Sequence, residues 1–141
     1  MNTDNSIKLI NLIRQEANNF LLKELKKIGL ENIAPSHGDI FFVLFKNNEL
    51  TMTEIANKIN RDRSTVTTLV RKLMKLGYLD EKENPEDRRS SIIFLTKKGQ
   101  GLKDDFDRIS KKLYQMEYQG IKEEEKELFL KLLNKIYSNF K

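Results

Sequence analysis

The 141-residue sequence contains no cysteine and a single histidine, His37. The first absence removes disulfides, thiolate metal centres and thiol-based redox sensing, and it fits the reducing cytoplasm where the chain is expected to reside. The second leaves no transition-metal set, because one imidazole among scattered carboxylates is a poor ligand cluster. There is no glycine-rich phosphate loop and no nucleophile with a plausible base. Neither catalytic residues nor a cofactor are therefore expected, and the chain does not read as an enzyme. Long apolar runs are missing too. None approaches the roughly 18 residues of a membrane span, and the opening MNTDNSIKLI lacks a basic region followed by an apolar stretch, so no membrane partner is expected.

One further absence is local. No Asp or Glu occurs from Arg63 to Leu79, in a chain whose residues are 33% charged. The formal net charge of +5 is concentrated around this gap: residues 61–98 hold ten Lys/Arg against six Asp/Glu, and the rest of the chain holds sixteen against fifteen. A basic imbalance confined to about a quarter of the sequence is the pattern of a polyanion-binding patch.

What is present is mostly helical periodicity. Residues 7–28 place Ile7, Ile10, Ile13, Ala17, Phe20, Leu21, Leu25 and Ile28 at helical spacing, with Leu9, Leu12 and Leu22 widening the stripe, and Gly29 marks the end. A second helix, HGDIFFVLFK, is expected behind Ser36 as N-cap, and a short third one, TEIANKIN, behind Thr53. The turn NRDR leads to Ser64, the expected cap of STVTTLVRKLMKLG. The segments YLDEK and SSIIFLT favour strands, and NPEDRR between them makes a hairpin with a long charged loop. Thr96 is expected to cap a long helix reaching about residue 119 with Leu102, Phe106, Ile109, Leu113 and Met116 inward. The last helix carries Leu128, Phe129, Leu132, Leu133, Ile136 and Phe140. Its acidic start, Glu123–Glu125, suits the helix dipole.

Short helix, tight turn, second helix and hairpin form the order of a winged helix-turn-helix. The second helix divides by face. At about 100° per residue, with Val66 at zero, Leu69, Val70, Leu73 and Met74 fall within about 80°, whereas Ser64, Thr68, Arg71 and Lys75 fall between about 140° and 200°. Thr65, Thr67 and Lys72 flank that second face. An ordinary surface helix mixes charge signs to gain i,i+4 pairs. A helix entering a major groove must instead keep carboxylates away from phosphates and offer hydroxyls and cations to base edges and backbone oxygens. Arg63, Ser64, Thr65, Thr67, Thr68, Arg71, Lys72 and Lys75 are the candidate DNA contacts of this helix, and Arg88 and Arg89 those of the hairpin loop.

The run LTMTEIANKINRDRSTVTTLVRKLMKLGYL followed by NPEDRRSSIIFLTKKG resembles the MarR family of bacterial transcription regulators. The marks are DRSTVT at the opening of the recognition helix, LGYL at its exit, and the D-x-R wing that leads to LTKKG, together covering residues 50–101. The resemblance implies a mainly α (α+β) fold: a winged helix-turn-helix over 36–98, with recognition helix 64–77 and wing 78–95, between dimerisation helices at 1–35 and 96–141. It implies a homodimer that binds a pseudo-palindromic operator in double-stranded DNA, acting as a ligand-responsive repressor, with the helix in the major groove and wing 84–91 in the minor groove. Asp87 and Arg89 occupy the family's acid–arginine pair, with Asp87 as a brace for the Arg89 guanidinium. A small anionic or phenolic effector is implied, for which His37, Tyr114 and Tyr118 are the candidate pocket, with a purely structural His37 as the other reading. Independently of the resemblance, the apolar surface of the flanking helices exceeds what one small lobe can cover, which also predicts an isologous dimer. The alternative function is a winged helix used for protein or other nucleic-acid contacts without operator specificity.

Overall fold

A computed structural model describes residues 3–141. The chain forms α1 (Ser6–Lys27), α2 (Pro35–Asn47), β1 (Glu49–Thr51), α3 (Met52–Ile59), α4 (Arg63–Lys75), β2 (Leu79–Glu83), β3 (Ser91–Leu95), α5 (Lys97–Gln100), α6 (Lys103–Glu117) and α7 (Glu123–Asn139). Two compact bodies result, one running through Ile109 and one spanning Ser110–Lys141. Residues 1 and 2, at the start of the segment expected to dimerise, lie outside the described residues.

The first body is built on one apolar core. Ile40, Phe41 and Leu44 of α2, Ile55 of α3, Val66, Val70 and Leu73 of α4, and Ile93 of β3 have no solvent exposure. Leu25 from the end of α1 and Phe106 and Ile109 from α6 close the same cluster. Phe41 is its centre. Its ring stands edge-on to Phe106 at 4.9 Å and to Tyr78 at 5.7 Å, geometries that aromatic quadrupoles favour. Burial of such a ring contributes roughly 1.5–3 kcal/mol.

Helix starts differ from expectation in three places, each for an identifiable reason. Helix α2 begins at Pro35, whose fixed φ and missing N–H suit a first helical position, so Ala34 and not Ser36 is the N-cap. At the third helical position the His37 Nδ1 accepts the Ala34 N–H at 3.0 Å, the role expected of an acid. Helix α3 is capped by Thr51 and not Thr53. The Thr51 hydroxyl accepts the Glu54 N–H and the Glu54 carboxylate accepts the Thr51 N–H, a reciprocal box spelled T-M-T-E in the sequence. Helix α4 is capped by Asp62 and not Ser64, and it runs Arg63–Lys75 rather than 64–77.

The hairpin is present, with β2 and β3 antiparallel and Leu79 opposite Leu95. A third strand accompanies it: the residues expected only to close α2 form β1, antiparallel to β3 with Leu50 opposite Ile93, giving the order β1-β3-β2. Three residues are too few for a periodicity signal, and β1 exists because β3 offers it an edge. The long helix expected behind Thr96 is broken. Thr96 does cap a helix, accepting the Gly99 N–H at 3.2 Å, but α5 ends after one turn and α6 starts afresh at Lys103.

Gly99 shows why that region is tight. A Cβ there would stand 2.2 Å from the Tyr78 carbonyl oxygen and 3.0 Å from the Leu95 side chain. The exit of α4 is clasped around this point. The Thr96 hydroxyl donates to the Gly77 carbonyl at 2.6 Å, the Thr96 N–H to the Tyr78 carbonyl at 3.1 Å, and Lys98 Nζ to the Leu76 carbonyl at 2.8 Å. The sequence marks LGYL and LTKKG are the two halves of this clasp.

In the second body, residues 110–141, the Tyr114 and Tyr118 rings lie 5.1 Å apart, and Lys126 Nζ stands over both, 4.9 and 5.5 Å from their centroids. The ammonium also donates to the Tyr114 hydroxyl and pairs with Glu123 at 3.2 Å. These contacts join α7 to the end of α6. No residue of α7 is buried.

Candidate nucleic-acid interface

Helix α4 has the two faces its sequence dictates. Val66, Val70 and Leu73 are fully buried and Leu69 and Met74 pack against the core. Arg63, Ser64, Thr68, Arg71, Lys72 and Lys75 are exposed, and Thr65 and Thr67 are partly exposed beside them. Among the described residues Arg63, Arg71 and Lys75 engage no acidic side chain, so their charges face solvent uncompensated. Lys72 differs: its ammonium donates to the Asn32 carbonyl in the α1–α2 connection, which uses one of its three donors and fastens α4 to that loop. The α3–α4 turn is fastened too, by Arg61 Nη2 donating to Ser36 Oγ at 3.0 Å.

The hydroxyls of α4 are already engaged. Thr67 donates to the Arg63 carbonyl at 2.9 Å and Thr68 to the Ser64 carbonyl at 3.2 Å. Asp62, which the sequence reading overlooked, collects the rest. Its carboxylate accepts the Ser64 hydroxyl, the Thr65 hydroxyl at 2.7 Å and the Thr65 N–H at 3.0 Å. These bonds, that from the Ser64 hydroxyl foremost, hold its carboxyl far below the usual range. The signal was present: Asp three residues before a threonine, at a helix start, is a cap sequence.

The wing loop 84–90 is shaped by its own backbone. The Asn84 side chain accepts the Glu86 N–H at 3.1 Å and donates to Ser90 Oγ at 3.1 Å, and the Asp87 N–H reaches the Asn84 carbonyl at 3.2 Å. The brace expected between Asp87 and the Arg89 guanidinium takes another form. Asp87 Oδ1 accepts the Arg89 backbone N–H at 3.0 Å, an Asx turn that sets the direction of the chain. A two-residue offset suits that short bond, since the carboxylate lies beside the backbone and away from the end of a long side chain. Arg89 is exposed and makes no ion pair among the described residues, whereas Arg88 Nε lies 3.4 Å from Glu83.

His37 has a structural task in this arrangement. It is 5% exposed, its Nδ1 holds the start of α2, and its buried Nε2 has no hydrogen-bond partner among the described residues. Burial, and next the charge of Lys72, lowers its pKa from the ordinary 6.5. Tyr114 and Tyr118 belong to the second body, where they hold Lys126.

The MarR family model matches residues 33–91, the stretch from just before α2 to the first residue of β3. The chain is 31% identical over 105 residues to the HTH-type transcriptional repressor YetL of Bacillus subtilis, a match covering 70% of this chain and 60% of YetL. It is 32% identical over 74 residues to an uncharacterised protein of Methanocaldococcus jannaschii, covering 48% of this chain and 62% of that protein. The chain thus spans under two thirds of each of these relatives. A solved structure of a mutant MarR from E. coli complexed with operator DNA shares the fold, with a TM-score of 0.82 at 19% identity over 96% of this chain and 99% of that one. No helix among the described residues is long and apolar enough to cross a membrane. Residues 33–91 thus carry the MarR family's sequence pattern, and the described chain has the fold of a solved MarR.

Proposed function

We propose that the protein acts in the cytoplasm as a homodimeric repressor that binds a pseudo-palindromic operator in double-stranded DNA, with α4 in the major groove and loop 84–90 at the minor groove. The observation that carries this reading is the outward face of α4. It joins Arg71 and Lys75 to a row of hydroxyls, contains no carboxylate, and stands on a helix held by core packing, the Lys72 tether and the clasp around Gly99. Phosphate contacts fix such a helix on the duplex and base-edge contacts select sequence. Arg71 and Thr68 are the residues for base reading. Arg63, Lys75 and the wing arginines supply phosphate and minor-groove contacts, where narrow A·T-rich stretches attract arginine. Repression follows from occupancy, since a dimer seated on a promoter excludes polymerase, and the likeness to a named repressor supports that sign.

The dimer reading rests on apolar helix surface left open. Ile7, Ile10 and Ile13 of α1 and Leu128, Leu132 and Ile136 of α7 are all more than 40% exposed. Two copies joined isologously would set their recognition helices about 34 Å apart, one turn of DNA. A small anionic or phenolic effector belongs to the same proposal and is tested by calorimetry on the intact protein. No catalysis is part of this reading. The decisive experiment is selection of bound sequences from random duplex DNA. An inverted repeat with half-sites one turn apart is expected, with binding that weakens steeply in salt. Absence of any enriched sequence, or binding indifferent to salt, overturns the proposal.

A further inference from the structure

The four hydroxyls of α4 all spend their protons inward, but not on equally strong partners. A hydroxyl has one proton and two lone pairs. The partners of Ser64, Thr65, Thr67 and Thr68 are a carboxylate and two backbone carbonyls, none of which has a proton to give, so the direction of every bond is forced. Each hydroxyl donates inward, and each leaves only lone pairs for whatever lies in front of the helix. The bonds of Thr67 and Thr68 go to neutral carbonyls that are already engaged in the helix, and rotation of those hydroxyls costs little. The bonds of Ser64 and Thr65 go to an ionised carboxylate, and charge-assisted bonds of this kind are roughly twice as strong. Asp62 is also an odd residue to find here. It sets an exposed negative charge at the leading edge of a face otherwise free of carboxylates, where it opposes phosphate. A Ser or Thr would cap the helix as well without that penalty.

We infer that Asp62 is a specificity-determining positioning residue: it captures the protons of Ser64 and Thr65, so that the first turn of α4 offers hydrogen-bond acceptors to the major groove and prefers bases that present amino groups there. Those bases are adenine through N6 and cytosine through N4, whereas guanine and thymine present O6, N7 and O4 acceptors that would meet lone pair with lone pair. Arg71, one to two turns further on, contributes donors only, and the helix is thereby divided into an accepting start and a donating middle. This inference rests on α4 being the groove helix.

The test compares the full-length protein with Asp62→Asn in selections from random duplex DNA, with Asp62→Ser as a second variant. Asn is as good a cap as Asp, so circular dichroism and melting temperature should stay close to those of the parent. Its amide, however, donates on one side and returns a hydroxyl proton outward. The parent should select an inverted repeat in which adenine or cytosine is held to one fixed strand at the base pair under the start of α4. Both variants should retain the half-site spacing, bind bulk DNA a few-fold more tightly for want of the negative charge, and relax by about tenfold the preference for which strand carries the amino-bearing base at that position. A variant that binds more tightly overall with an unchanged base profile shows Asp62 to be a cap and a charge only, and overturns the inference. So does a parent repeat indifferent to which strand carries adenine or cytosine at that position. If the parent selects no repeat at all, the functional reading fails, and the inference falls with it.

Discussion

Helices α4 and α7 each carry an apolar stripe, and the two stripes meet different fates. In α4, Val66, Val70 and Leu73 reach zero exposure against residues of the same body. In α7, Leu128, Leu132 and Ile136 sit at the same kind of spacing and stay 41–56% exposed. The helices are similar in length, 13 and 17 residues. The contrast teaches that periodicity reports which face is apolar and not what covers it. Contiguous apolar surface of this kind on a small protein marks an interaction site. The α4 stripe is thus covered within its own body, and the α7 stripe is the face that the proposed dimer would cover.

The comparison can be broken at its strongest point by emptying the core beneath α4. Phe41→Ala should remove about 3–5 kcal/mol of stability, read as a lowered urea midpoint. The counterpart on α7, Leu132→Asp, should leave the helical signal nearly intact while sedimentation shifts from dimer to monomer. Operator affinity should then fall by about 100-fold or more, because the second half-site no longer binds as a tethered partner. A Leu132→Asp protein that stays dimeric, or one that unfolds, would erase the distinction between the two stripes.

Smaller effects sharpen the contrast between the helix and the wing. Arg71→Ala should cost about 1–3 kcal/mol of operator binding and relax base preference in a repeated selection. Arg89→Ala should weaken all sequences alike and reduce the log–log salt slope by about 1. Equal loss of base preference in both variants would mean that helix and wing do not divide the work. The smallest effect concerns His37. Its folded pKa lies below the ordinary 6.5, so the unfolded chain takes up a proton first as pH falls. Stability from the neutral ring is complete above about pH 6.5 and is lost as pH drops below it. Urea midpoints at pH 7.5 and 5.5 should therefore differ more for the parent than for His37→Gln.

Much of this was readable from the residues alone, and the failures share a cause. The core face of α4 was legible because five apolar side chains repeat at a period that only a helix satisfies. The hairpin was legible from β-branched and aromatic residues bounded by Asn84-Pro85. Helix starts were less so. Ser36, Thr53 and Ser64 are each good caps by type, but each lost to a neighbour: Pro35 fixed the first turn of α2, Thr51 had Glu54 to complete a box, and Asp62 could satisfy Ser64 and Thr65 together. Strand β1 depends on an edge formed by residues more than forty positions away, and no local signal encodes it. At the interface, sequence identified which side chains face outward and could not tell which were already engaged. That Lys72 holds Asn32, and that Asp87 bonds a backbone N–H and leaves the guanidinium alone, are facts of folding geometry.

The clasp around Gly99 has a consequence for change over time. Where helix exit and post-wing turn meet, main chain approaches main chain at Gly99 and Tyr78, closely enough that a Cβ on Gly99 has no room. The separation between reading helix and wing is therefore gauged by peptide dimensions, which are the same in every sequence. Residues on the outward face can be exchanged for others that read a new target while that gauge stays constant. Tolerance to variation should be high along the outward face of α4 and close to nil at Gly99, where a Cβ would collide with the Tyr78 carbonyl.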